Sequence, residues 1–240
     1  MSGLIIPLDV PDLDYAADLV DRLGDEADFY KVGLELYTRV GPPAVEMLQR
    51  RGKRIFLDLK LHDIPNTVAG AVRSASALGL DLLTLHAQGG EPMLEAAAAE
   101  RTGGLRLLAV TVLTSLESWH LEAVWGRSVD DTAAEVHRLA RMAVASGLDG
   151  VVSSPLEAAS LRSLLGPDPI LVTPGIRPAG SAVGDQRRIA TPADAVRAGA
   201  DYLVVGRPVT QAPDPRAALT AVLAEIRSAR GEAVEPSESD

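Results

Sequence analysis

Eight times along the 240 residues, a short β-branched apolar run is followed by an Ala/Leu-rich amphipathic segment. The runs fall at residues 4–9, 28–33, 54–60, 80–87, 105–113, 150–153, 170–173 and 202–205. The amphipathic segments fall at 12–23, 43–51, 66–78, 91–101, 129–146, 156–165, 192–198 and 215–229. Apolar runs of this kind suit parallel strands covered on both faces. Gly52, Gly79, Gly147, Gly166 and Gly199 each stand one to a few residues ahead of a run, where a helix needs to end. Eight such units predict an α/β chain folded as a single (β/α)8 TIM barrel over residues 1–230. A doubly wound open sheet is the alternative. It wants a Gly-rich turn after its first strand, and here that place reads Leu8-Asp9-Val10-Pro11-Asp12. No second domain and no short-period repeat is evident.

Composition narrows the class further. Hydrophobic residues make up 47% of the chain but aromatics only 3%, so the core is expected to be aliphatic. No cysteine is present, which excludes disulfides and thiolate metal sites. The N-terminal stretch lacks a basic segment followed by an apolar one, the mark of a secretory signal. No apolar run reaches the roughly 18–20 residues that span a bilayer. A cytoplasmic protein without membrane contact is expected. The net charge is −10, and residues 231–240 contribute four acids and no base, leaving −6 on the rest. That terminal stretch is expected to be a disordered acidic tail. An acidic body argues against nucleic acid as a partner. Any anionic substrate must therefore be held by a local cluster of Arg, Lys and backbone N–H groups.

One strand candidate has an unusual interior. Between Phe56 and Thr67 the sequence reads FLDLKLHDIPNT. With a period of two, Phe56, Asp58 and Lys60 share one face and Leu57, Leu59 and Leu61 the other. Asp63 follows where the strand runs out. Buried charges must be paired to be tolerated, which marks either a functional site or a structural ion-pair network. In a barrel of this kind, chemistry sits at the C-terminal ends of the strands. Polar residues collect there: Asp9, Lys31, Asp58, Lys60, His86, Thr111, Thr114, Thr173, Arg177 and Arg207. A purely structural network has no reason to gather on one rim. Taken singly, Asp9 is equally readable as a cap of the first helix, Lys31 as a strand-end lysine and His86 as a hydrogen-bonded core histidine. His62, His120 and His137 read as loop or surface residues. The loops after strands seven and eight are the usual place for phosphate. They offer Gly175, Gly206, Arg177 and Arg207, with a Gly- and Ser-bearing loop at 178–191 as a candidate lid.

Asp58-x-Lys60-x-x-Asp63-Ile64-Pro65-Asn66-Thr67 resembles the signature of the orotidine 5′-phosphate decarboxylase family. Asp9, Lys31, Thr173-Pro174-Gly175-Ile176-Arg177, Gly184-Asp185-Gln186 and Val205-Gly206-Arg207-Pro208 match that family in order, so the resemblance runs from about Leu4 to Ala229. It implies conversion of orotidine monophosphate to UMP and CO2 in pyrimidine biosynthesis, with no metal or organic cofactor. It implies a homodimer in which Asp58 and Lys60 come from one chain and Asp63 with Thr67 from the other. Arg207, Arg177 and Gly206 would hold the phosphate, and Gln186 would bridge lid, phosphate and base. Asp9, Lys31 and Asp63 would contact ribose or order the charges. Thr114 would meet the pyrimidine edge, with Pro174 packed nearby.

The residues suit that chemistry. Loss of CO2 leaves negative charge on a vinylic carbon, and an ammonium at Lys60 can stabilise it and supply a proton. A charge pair at ~4 Å and an effective dielectric of ~20 is worth roughly 4 kcal/mol. Carboxylates on either side thus favour the ammonium over the neutral amine that a Schiff-base aldolase needs. A Mg-dependent sugar-phosphate decarboxylase or lyase on the same barrel is the main alternative. It needs carboxylates open to the metal, and Lys60 competes for them. A phosphate-ligand binder without activity is the remaining one.

Overall fold

The computed structural model describes residues 3–178 and 189–232. Eight parallel strands close into a barrel in sequence order, with β8 pairing β1. They are β1 (Gly3–Pro7), β2 (Phe29–Val32), β3 (Arg54–Leu61), β4 (Leu82–His86), β5 (Arg106–Val110), β6 (Gly150–Val152), β7 (Ile170–Thr173) and β8 (Tyr202–Val204). The helices of the outer ring are α1 (Leu13–Leu23), α2 (Leu34–Val40), α3 (Pro43–Gln49), α4 (Pro65–Ser76), α5 (Glu91–Glu100), α6 (Ser118–Trp125), α7 (Thr132–Ala145), α8 (Ala158–Leu165), α9 (Pro192–Arg197), α10 (Arg207–Thr210) and α11 (Pro215–Ala229).

The expected eight units are present, with additions. The sequence reading leaves residues 34–42 without a helix, whereas α2 forms there between Gly33 and Gly41, the latter at φ +64°. Likewise α6 forms between β5 and α7, closed by a capping box in which Glu117 and His120 exchange hydrogen bonds. His120 therefore has a helix-capping duty on the surface. The cap of α1 is Asp12, which accepts the Tyr15 amide at 2.8 Å, and Asp9 is left for another partner.

Two apolar layers result from the period of the strands. Ile5, Phe29, Phe56, Leu82, Leu108, Ile170, Val172 and Val204 point inward and fill the barrel. The alternate residues, Leu57, Leu83, Leu107, Val151, Leu171 and Leu203 among them, face the helices. Burial of this aliphatic surface is the main favourable contribution, at about 25 cal/mol per Å².

The N-terminal rim is clasped in strand pairs by aspartates. Asp81, just before β4, accepts the Ile55 amide of β3 at 2.9 Å and Arg54 Nε at 3.1 Å. Asp149, before β6, accepts the Leu107 amide of β5 at 2.7 Å and the Arg101 guanidinium. Asp201, before β8, accepts the Leu171 amide of β7 at 2.8 Å and Arg162 Nη2 at 2.6 Å. Each carboxylate thus fixes the register of a neighbouring strand and is neutralised by an arginine. The other rim, with its charges, is left for the site.

Candidate active site

A pocket of about 470 Å³ opens at the C-terminal ends of the strands. Its floor is apolar, with Phe56, Val110, Val152 and Val204 among its residues, and its wall carries Asp9, Lys31, Asp58, Lys60, Arg177 and Arg207. An apolar pocket with a few convergent polar groups is the usual form of a small-molecule site.

The charges form a chain across three strands. Lys31, on β2, lies between two carboxylates, with Asp9 Oδ1 at 3.0 Å and Asp58 Oδ2 at 3.4 Å from its Nζ. Asp58, on β3, accepts Lys60 Nζ on Oδ1 at 2.8 Å. Thr84, on β4, donates to the same Oδ1 at 2.9 Å. Gly33 makes room for the first pair, because a Cβ there would come 2.8 Å from both Asp9 Oδ1 and Lys31 Nζ. Burial alone pushes the Asp58 carboxyl up, but the Lys31 and Lys60 charges outweigh it and hold it below the usual carboxylate range. For Lys31 burial pulls downward, and Asp58 and Asp9 more than offset it, so its ammonium is held above the ordinary lysine value.

A depressed Asp58 contributes stability that is complete above about pH 3.9 and is lost as pH falls through its lower folded value. A raised Lys31 contributes stability that is complete below about pH 10.4 and is lost as pH rises through its higher folded value. Stability should therefore be flat with respect to this network between those limits. Asp58→Asn should lower it there by roughly 3 kcal/mol, because it breaks a buried pair from one side. Urea unfolding of both proteins from acid to alkaline pH measures this, and the gap should close at the acid end. A pH-independent gap would mean that the charge of Asp58 contributes nothing.

Lys60 has an unusual backbone. Its φ is +53°, the one positive value at a non-glycine among the described residues. Such a conformation is strained and persists only where its surroundings impose it. Here β3 advances from Leu57 to Leu61 while its partner β4 advances only from Leu83 to Leu85. The strand bulges between those points. The Lys60 amide, displaced from the ladder, donates to Thr84 Oγ1 at 2.9 Å.

Arg177, after β7, and Arg207, at the start of α10, both line the pocket. Arg177 is 7% exposed, and both its burial and the nearby Arg207 press its guanidinium below its ordinary value. Guanidinium groups on one pocket wall are forked donors of the kind that anionic ligands take. Gly206 lets the β8 loop approach β1 closely, since a Cβ there would lie 3.1 Å from Pro7 Cγ. Thr114 and Pro174 line the same pocket, as do Ser153 and Gln211, which the sequence reading does not single out.

Some expected site residues lie elsewhere. Asp63 is exposed, accepts its own Ile64 amide at 2.6 Å and does not line its own chain's pocket. Thr67 is exposed on α4, also away from that pocket. Gln186 and the 184–186 stretch fall outside the described residues. His86, at the end of β4, packs its ring 5.5 Å from that of His62, and its buried Nδ1 has no hydrogen-bond partner among the described residues. Burial first, then the His62 and Lys60 charges, holds His86 below the ordinary histidine value.

Comparison with known proteins agrees with this geometry. A family profile described as Orotidine 5'-phosphate decarboxylase / HUMPS family matches residues 2–222. The chain is 54% identical over 233 residues to an orotidine 5'-phosphate decarboxylase of Moorella thermoacetica, covering 93% of this chain and 91% of that one. It is 54% identical over 231 residues to one of Rhodopseudomonas palustris, covering 95% of each. Among solved structures, an orotidine 5'-phosphate decarboxylase from Lactobacillus acidophilus superposes with a TM-score of 0.83 at 39% identity, covering 94% of this chain and 99% of that one. No described helix is long and apolar enough to cross a membrane.

Proposed function

The chain belongs to the orotidine 5'-phosphate decarboxylase / HUMPS family, and on that premise we propose that its barrel mouth removes CO2 from orotidine 5'-monophosphate to give UMP, with Lys60 as the proton donor. The observation that carries this reading is the ammonium of Lys60, 2.8 Å from Asp58 and open to the pocket. The bond from the pyrimidine ring to the carboxylate breaks, and CO2 leaves without the electron pair. The pair stays on the ring carbon, where the ammonium stabilises it and then transfers a proton. A preorganised charge aimed at a developing anion is the largest kind of catalytic contribution. Asp58, near the substrate carboxylate, adds repulsion that falls as CO2 departs, a smaller effect.

The remaining roles are those that the family resemblance implies. Arg177, Arg207 and the Gly206 amide hold the phosphate, remote from the reacting carbon; the resemblance gives Gln186, outside the described residues, a contact to phosphate and base. Thr114 and Pro174 meet the base. Asp9 and Lys31 order the charges and the ribose. Asp63 and Thr67, turned away from their own pocket, serve the pocket of a second copy in a homodimer, and the 67% exposed Ile64 between them suits burial at such a contact. No metal is needed, because the oxygens of Asp58 are already taken by Lys60, Thr84 and Lys31.

An absorbance assay with orotidine monophosphate tests the reading directly. Turnover that survives EDTA supports it. An inert protein, or activity lost to EDTA and restored by Mg, overturns it. Arg207→Ala should weaken substrate and UMP binding by roughly 1.5–3 kcal/mol, the range for a charged hydrogen bond. Titration with UMP measures the loss, and unchanged affinity would remove Arg207 from the phosphate site.

A further inference from the structure

We infer that Thr84 is a positioning residue for Lys60, acting through its hydroxyl on both the backbone and the ion-pair partner of the lysine. The inference rests on the reading of Lys60 as the proton donor. Thr84 is fully buried on β4, on the inward face that it shares with Leu82. A hydroxyl has one proton and two acceptor sites. Here the proton goes to Asp58 Oδ1 at 2.9 Å, and a lone pair takes the Lys60 amide at 2.9 Å. Asp58 Oδ1 in turn accepts Lys60 Nζ at 2.8 Å. Thr84, Asp58 and Lys60 thus close a ring of three hydrogen bonds, and Thr84 is the member that belongs to another strand.

The ring explains the strained backbone. In the bulge of β3, the Lys60 amide has lost its place in the ladder. Without the hydroxyl it would be a displaced donor with no partner, and φ +53° would have nothing to hold it. Relaxation to negative φ would redirect the side chain and carry the ammonium away from the pocket. Asp58 would also lose the donor that fixes which oxygen faces Lys60. A valine has the same shape as threonine, so packing alone does not require the hydroxyl.

Thr84→Val, Thr84→Ala and Thr84→Ser separate these roles. Valine and alanine should lower kcat by roughly 100-fold, the scale of an ångström-sized misplacement of a catalytic group. KM and UMP affinity should hold, and serine should restore kcat. If valine does not fold, the serine and alanine pair, which differ only in the hydroxyl, makes the same comparison. Amide hydrogen exchange at Lys60 gives a second readout, slow in the wild type and serine variant and fast in the alanine variant. Wild-type kcat in the alanine or valine variant would overturn the inference. So would equal losses of kcat and UMP affinity in all three, which would mean packing. A wild-type protein inert toward orotidine monophosphate would fail the functional reading instead. The exchange contrast between serine and alanine would still decide whether Thr84 holds Lys60.

Discussion

Lys60→Ala should abolish decarboxylation while leaving UMP bound. In the proposed reaction the lysine supplies two things at once, a positive charge where the ring carbon becomes negative and the proton that carbon receives. General acid catalysis contributes about 10²–10⁴ and an electrostatic donor about 10²–10³, so the combined loss should be at least on the order of 10⁴. The proposed phosphate ligands belong to other elements, Arg177 to the loop after β7 and Arg207 to the start of α10. UMP affinity should therefore change little. A single-turnover assay together with UMP titration reads both. Near-normal turnover would remove Lys60 from the mechanism, and loss of UMP binding would mean that the substitution had collapsed the pocket. Removing the ammonium also leaves Asp58 with Lys31 and Thr84, so the carboxylate remains paired and folding should survive.

The second large effect is a recovery of activity. On the proposed homodimer, Lys60→Ala and Asp63→Ala proteins should each be inactive, yet a mixture should regain about one quarter of wild-type activity after subunit exchange. In random reassortment about half the dimers are mixed, and in each of those one of the two sites draws an intact Lys60 and an intact Asp63. The reason to expect this lies in where Asp63 sits. It caps its own Ile64 amide and lies outside its own pocket. Exchange can be proved by mass spectrometry of tagged chains. If mixed dimers form and remain inactive, Asp63 does not cross to a partner.

Much of this was legible in the sequence, for identifiable reasons. Eight apolar runs separated by amphipathic segments leave little but a barrel, and the rim follows from strand ends. Asp9, Lys31, Asp58, Lys60, Thr114, Pro174, Arg177, Gly206 and Arg207 do meet in one pocket. Asp9 could equally have capped α1, and only the position of Asp12 decides that. Thr84 escaped notice because a threonine within a strand reads as ordinary β propensity. Its hydroxyl gains meaning only from the bulge opposite. The bulge itself is hidden, since a left-handed residue normally announces itself as glycine or asparagine, and here it is a lysine. Helix α2 is hidden by its shortness between Gly33 and Gly41.

The clasp at the base of β3 has a consequence for how this family member can vary. Asp81 fixes Ile55 at one end of the strand, and Leu61 pairs with Leu85 at the other. Between those anchors β3 has more chain than the distance requires, so it arches like a strip held at both ends. Its height depends on residue count, besides the Thr84 hydroxyl that holds the Lys60 amide. Substitutions along 57–61 can be judged one by one, but a deletion there cannot be absorbed by sliding, because the clasp forbids the slip. It would flatten the arch and draw Lys60 back into the sheet. Length in this segment is therefore a property of the site in its own right, beside the identities of Asp58 and Lys60.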